Sequence, residues 1–198
     1  MNSKFGKLFI LLLFLTSCNS LLKSKYGFNK QFDFTAKESY MVFLQNKKNF
    51  DITNVIFPDS NSRSAFLESI MRDSLSVYYG CLINDSVELV KTNEVRDNLS
   101  CMGKILQDIN LGEAELSKDD SSLFTKSKFK AYQFNFLYND EQLNINHFNK
   151  KLKIIMLYSY ALGTYFDGVF NEVRKFHENH KESTNLYIIT LDDISRLR

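Results

Sequence analysis

Leu152-Lys153-Ile154-Ile155-Met156-Leu157-Tyr158-Ser159-Tyr160 is the stretch whose reading decides the fold. It is a continuous apolar run with lysines only at its start. One reading makes it a fully buried strand of a parallel or sandwiched sheet, apolar on both faces. Asp167 to Glu178 is then a helix and Leu186 to Leu191 a second buried strand, giving a β-α-β order. The other reading starts from Phe148, Leu152, Ile155, Ser159, Leu162, Phe166, Val169, Val173 and Phe176, which follow an unbroken 4-3 spacing and argue for helix. A single helix from Glu141 to Lys181 would be ~60 Å long at 1.5 Å per residue. A compact domain of this size spans only about 40 Å, so such a helix must protrude or kink, with Gly163 as the natural place. Both readings stand at the level of sequence.

Working outward, Ser39 to Gln45 and Ile52 to Phe57 are short apolar runs separated by the turn-like Asn46-Lys47-Lys48-Asn49, which predicts a hairpin. Pro58-Asp59-Ser60-Asn61-Ser62 supplies a break and N-cap residues. A helix over 62–79 follows, with Leu67, Ile70, Met71, Ser74 and Tyr78 on one face and Gly80 as its stop. Cys81 to Lys91 reads as a strand pair turning at Asn84-Asp85. Val95, Leu99, Met102, Leu106 and Ile109, spaced 4-3-4-3, predict an amphipathic helix over 93–109. Glu113 to Ser127 reads as a polar surface loop. Over 128–138 the chain alternates, with Tyr132, Phe134, Phe136 and Tyr138 on one side, as in a half-buried strand. An aromatic stripe of this kind belongs to a core more often than to a ligand platform. The sum is a mixed α/β or α+β single domain over 31–198. Its central sheet draws on 39–45, 52–57, 81–91, 128–138 and 185–191, with 152–160 added on the strand reading. Its helices lie near 62–79, 93–109 and 162–180.

The 198 residues carry 25 Lys and Arg against 23 Asp and Glu. Hydrophobic content of 44% with one proline and seven glycines describes a folded chain. Asn, Lys, Phe, Ile and Tyr are plentiful and Trp is absent, a bias expected from A/T-rich codons, so aromatic abundance carries no binding argument. A nucleic-acid partner would call for a basic excess on one face, and neither excess nor clustering is present. No nucleic-acid partner is expected.

The first residues have a different character. Lys4 and Lys7 precede Leu8-Phe9-Ile10-Leu11-Leu12-Leu13-Phe14-Leu15, and Thr16-Ser17-Cys18 follow. A charged tip, an apolar centre and small residues describe an export signal over 1–17. The run is too short for a membrane span, which needs roughly 20 residues. Leu15-Thr16-Ser17-Cys18 resembles the lipobox of bacterial lipoproteins. The alternative is an ordinary secretory peptide with a cysteine at the cut. The resemblance implies cleavage between Ser17 and Cys18, a diacylglyceryl group on the Cys18 thiol and acylation of the new amine. Each buried methylene contributes roughly 0.8 kcal/mol, so two or three chains hold where one holds only marginally. The non-acidic Asn19 resembles lipoproteins sorted to the outer membrane rather than the inner one. Removing residues 1–17 takes away two lysines and no acid, so the formal charge of +2 falls to zero. Residues 18–30 read as the lipidated cysteine and a polar tether. The partners implied are the membrane, through the anchor, and an envelope protein.

Cys81 and Cys101 remain. An oxidising envelope allows them to pair, which would constrain the unfolded chain by roughly 3 kcal/mol in the entropy model. The alternative is two thiols packed as small hydrophobes.

The β-α-β order of 150–192 resembles part of the thioredoxin-like fold, with Ile154 to Tyr158 as its central strand and Leu186 to Asp192 as the next. Where redox members of that family carry Cys-x-x-Cys, this chain has Leu162-Gly163-Thr164-Tyr165, so dithiol chemistry is not implied.

Candidate chemical residues are few. His177 and His180 sit at i, i+3 near a helix end, where a metal would need a further ligand and where plain solvent-exposed histidines are favoured by the helix dipole. His147 stands among asparagines. Asp192-Asp193 follows a strand end, where active-site carboxylates often sit, although acidic pairs are also ordinary turn residues. Asp119-Asp120 lacks the oxygen ladder of a calcium loop. No phosphate-binding glycine loop and no nucleophile elbow occurs. No catalytic residue, metal or cofactor is assigned, and the expected role is binding rather than catalysis.

Overall fold

Burial on both faces settles the ambiguous stretch. In the computed structural model Leu152–Tyr158 is a strand in which every residue from Lys153 to Tyr158 is buried. The structure describes residues 27, 31–72, 81–83, 90–92, 114–116, 132–144, 147–150, 152–165 and 167–197. Within them lie helices α1 (Lys37–Lys48), α2 (Ser60–Arg72) and α3 (Asp167–Asn179). The strands are β1 (Val55–Pro58), β2 (Cys81–Ile83), β3 (Val90–Thr92), β4 (Ala114–Leu116), β5 (Phe134–Phe136), β6 (Leu152–Tyr158) and β7 (Thr184–Thr190).

Five strands form a mixed sheet in the order β2-β6-β7-β1-β5. β6, β7 and β1 are mutually parallel, and β2 and β5 run antiparallel at the two sides. β6 and β7 pair along their full length, from Leu152 opposite Thr184 to Tyr158 opposite Thr190. Parallel strands need a crossover, and α3 supplies it. The result is a single mixed α/β domain around a central sheet.

Strand alternation divides the core in two. Ile154, Met156, Tyr158, Val55, Leu186 and Ile188 face α1 and α3, which contribute Tyr40, Leu44, Phe170, Val173 and Phe176. Ile155, Leu157, Ile56, Tyr187 and Ile189 face the opposite way, onto Phe66 and Ile70 of α2 and Phe134 and Phe136 of β5.

Several sequence readings change. Residues 39–45 are helical, and the hairpin does not form. Tyr40, Leu44 and Lys48 fall at i, i+4, i+8 and are all buried, a helical face disguised by the apolar run because its last member is a lysine. Lys47 and Lys48 suit the last turn. Asn49 then goes left-handed (φ 56°), and its N–H and that of Phe50 both close on the Leu44 carbonyl. The strand expected over 52–57 begins only at Val55, after a 3-10 turn at Ile52–Asn54 capped by Asp51.

The helix expected over 62–79 starts at Ser60, with Asp59 as its N-cap accepting from Ser62 N at 2.7 Å; its course beyond Arg72 lies outside the described residues. Of the face expected there, Ile70 is buried and Leu67 half-buried, while Met71, Ser74 and Tyr78 are outside the described side chains; Phe66 and Ser69 are buried as well. The hairpin expected to turn at Asn84-Asp85 would set 81–83 against residues that lie outside the described ones. β2 joins β6, and β3 joins β4 in a separate two-stranded sheet. β4 lies where a polar loop was expected.

The strand over 128–138 is described only as Phe134–Phe136. After Phe136 the chain turns, with Asp140 left-handed at φ 59°, and Leu137 swings into the core on the other face while Tyr138 is 45% exposed. A 3-10 turn, Tyr160–Leu162, precedes α3, so the helix expected over 162–180 begins at Asp167. The helix over 93–109, together with Cys18, Cys101 and Asp119-Asp120, lies outside the described residues. Cys81 is placed only as backbone in β2, so the Cys81–Cys101 bridge is not addressed.

Candidate functional site

The chain leaves β6 toward one face of the sheet, where α3 packs, and leaves β1 toward the other, where α2 packs. β7 lies between them. In open α/β sheets the crevice beyond such a reversal is the favoured ligand site, and Asp192-Asp193 stands there.

Asp192 is 8% exposed and is surrounded by donors. Tyr40 Oη donates to its Oδ2 at 2.6 Å, and Ser159 Oγ to its Oδ1 at 2.9 Å. The Tyr160 amide reaches both oxygens, at 3.0 and 2.9 Å, and Thr190 Oγ1 adds a contact at 3.2 Å. Thr190 Oγ1 lies closer to Tyr40 Oη, at 2.8 Å, and both carboxylate oxygens are engaged by the fold. Burial pushes the Asp192 carboxyl above the usual range, against the pull of the Tyr40 and Tyr160 hydrogen bonds. No oxygen is left for a substrate. Asp192 is a joint binding α1, β6 and β7.

Asp193 is also engaged. It accepts from Ser195 Oγ at 2.6 Å and pairs with Arg196 at 2.7 Å and, more loosely, Arg63 at 3.9 Å. The Ser195 hydrogen bond leads in holding its carboxyl below the usual range. Arg63 also donates from Nη2 to the Leu191 carbonyl, tying α2 to the end of β7.

The open space lies elsewhere. A cleft of about 270 Å³ runs between α3 and residues 48–54. Its floor is apolar: Phe50, Phe170, Val173, Leu186 and Ile188. Its rim carries Lys48, Arg174 and Lys181 against Asp51 and Glu178, with His177 among them. Lys48 ends the cleft with a buried ammonium, held by Asp167 Oδ1 at 2.7 Å and the Gly163 carbonyl at 2.5 Å. Gly163 has φ 61° and ψ −125°, a conformation that glycine alone adopts freely.

His177 is fixed by a relay. Thr184 Oγ1 stands 2.9 Å from the His180 carbonyl and 2.7 Å from His177 Nδ1, and both contacts become hydrogen bonds at once in the tautomer whose Nδ1–H donates to Thr184. That tautomer leaves Nε2 unprotonated, and Nε2 has no hydrogen-bond partner among the described residues. Burial first, and then the Lys181 charge, lower the His177 pKa, so the ring is neutral near pH 7. His180 does not converge with it: its Nδ1 bonds the Phe176 carbonyl at 2.8 Å and its ring stacks on Phe176. His147 accepts from Asn144 N at 3.0 Å and packs edge-on against Phe136. Among the described residues no cluster of three His, Cys, Asp or Glu could hold a metal, and no helix is long and apolar enough to cross a membrane.

A second opening of about 320 Å³, lined by Phe43, Lys47, Lys48, Tyr160, Gly163 and Thr164, abuts the other side of Lys48. Sequence reasoning placed His177 on solvent and passed over Lys48, Asp51 and Arg174. The relay needs Thr184, seven residues on and in the next strand, so no local spacing announces it.

Comparison of the chain with protein-family models, curated proteins and solved structures finds no match.

Proposed function

We propose that this chain is a lipid-anchored protein of the bacterial envelope, cut before Cys18 and carried to the outer membrane, whose domain works by binding a ligand or an envelope protein. The observation that carries the anchor is Leu15-Thr16-Ser17-Cys18 behind a lysine-tipped apolar run. Binding is favoured over catalysis because the strongest carboxylate candidate, Asp192, has its acceptor positions taken by the fold, while the open cleft has an apolar floor and a polar rim, the usual make-up of a ligand site. Cys18→Ala tests the anchor. The wild-type protein is expected in the membrane fraction with a mass beginning at acylated Cys18, and the variant in the soluble fraction. Unchanged retention of the variant would refute lipid anchoring.

A second reading has one specific support. β6, α3 and β7 form a parallel β-α-β unit, the arrangement that a degenerate thioredoxin-like domain would need, with Gly163 and Thr164 lining an opening beside it. On that reading the opening is a binding groove, since Leu162 to Tyr165 contains no thiol. Turnover of a dithiol substrate by the purified chain would contradict it.

A further inference from the structure

We propose that the cleft between α3 and residues 48–54 binds a small apolar α-amino acid, an inference that rests on reading the domain as a binding module. Three features of the cleft, each on a different group of residues, specify that chemistry.

The first is size and floor. About 270 Å³ over Phe50, Phe170, Val173, Leu186 and Ile188 falls just below the ~300 Å³ at which drug-sized pockets begin. It suits a short branched alkyl side chain rather than a large ligand.

The second is charge of both signs. Arg174 stands on α3 and Lys181 in the turn that follows it, and both line the cleft. Lys181 has no hydrogen bond or ion pair among the described residues. Arg174 spends one bond on the Asn49 carbonyl (3.1 Å) and one on Asn171 (3.0 Å), leaving further N–H groups. On the opposite wall Asp51 commits Oδ1 to Thr53, at 3.0 Å to the amide and 2.7 Å to the hydroxyl. Its Oδ2 has only a long 3.5 Å contact with Asn54. Glu178 adds a second carboxylate, 3.7 Å from Arg174 Nε. Lys48 is already neutralised by Asp167. A simple anion would meet Asp51 and Glu178, and a simple amine would meet Arg174 and Lys181. A zwitterion satisfies both.

The third is the fixed acceptor. The tautomer of His177 that satisfies both contacts of Thr184 leaves Nε2 unprotonated. A neutral imidazole nitrogen can accept a proton-bearing ligand group, and an α-ammonium has three N–H bonds to share between Nε2 and the carboxylates. The α-carboxylate then faces Arg174 and Lys181, and the side chain faces the floor.

Isothermal titration of the full chain in detergent with L-leucine tests this, with 4-methylpentanoate (no ammonium) and 3-methylbutylamine (no carboxylate) as half-ligands. Leucine is expected to saturate one site, with each half-ligand weaker by about tenfold or more. His177→Phe removes the acceptor and Lys181→Gln the cation; each is expected to weaken leucine by about tenfold. Lys181 is exposed, so that variant remains informative if His177→Phe folds poorly. Histidine NMR should show the His177 ring shifting with leucine and the His147 ring unmoved. Absence of saturable heat up to about 10 mM leucine overturns the proposal. So does a half-ligand that equals leucine, or Lys181→Gln binding as wild type. Membrane retention through Cys18 is measured separately, so a failed titration removes the ligand and leaves the anchor standing.

Discussion

The Tyr40 hydroxyl donates to Asp192 Oδ2 at 2.6 Å across 152 residues of sequence. That one contact fastens the first helix to the end of the central strand, with both groups buried. Burial, and then the adjacent Asp192 charge, push the Tyr40 phenol well above its ordinary range, so it stays a donor at any working pH. Tyr40→Phe keeps the ring packing and removes the donor. It is expected to destabilise by about 2 kcal/mol, as for a hydrogen bond to a charged group, read as a lower urea midpoint at unchanged slope. An unchanged midpoint would show that the remaining donors suffice.

Lys48 and Asp167 are unequal partners. The Lys48 side chain is 5% exposed and that of Asp167 37%. Asp167→Asn strands a buried ammonium with the Gly163 carbonyl as its remaining partner, at an expected cost of about 2–3 kcal/mol. Lys48→Met leaves a carboxylate that water can reach, and should cost less. Chemical denaturation of both variants checks the order, and the reverse order would contradict the burial asymmetry.

The His177 pKa lies below 6.5 in the folded protein because of burial and Lys181, with Glu178 and Asp51 opposing; Arg174 and Lys48 complete the charges around the cleft. Between the folded pKa and 6.5 the unfolded chain binds more protons, so stability rises with pH through that window and falls as the solution is acidified through it. Thermal unfolding at a series of pH values between 7 and 5 should show the decline, and His177→Gln should flatten it. A variant that keeps the full slope would place its origin elsewhere.

β6 faces two cores. Ile154 and Ile155 are both fully buried, one against α1 and α3 and the other against α2. Truncation of either to Ala should cost about 2–5 kcal/mol. Tolerance of one of them by thermal or urea unfolding would mean that its face is not packed.

The sequence was most readable where burial is two-sided. Ile154 to Tyr158 and Leu186 to Ile189 are apolar without interruption, and the helix between them keeps Phe170, Val173 and Phe176 on one side. Reading failed where a polar residue served as core. Lys48 completes the buried face of α1 through its pairing with Asp167, so its local pattern imitates a strand and a turn. β5 was over-extended because the chain turns back at 137–140, with Asp140 left-handed and its amide on the Phe136 carbonyl. At the switch point the Asp192-Asp193 pair was visible, but its role depends on Tyr40, Ser159 and Tyr160, which only the folded chain brings together. The cleft was invisible because the Thr184 relay and the opposing Asp51 come from separate elements.

The order of strands also dictates when the domain can close. β7 sits between β6 and β1, yet it is made after both. Until residue 190 is available, β6 and β1 have no common neighbour and each leaves a hydrogen-bonding edge and apolar surface uncovered. A nascent or truncated chain ending before Thr184 therefore lacks the strand that joins β6 to β1 and is prone to aggregate, and closure must await contacts that are distant along the chain. The export proposed for this chain would draw on that delay, since an export channel takes an open chain more readily than a closed domain.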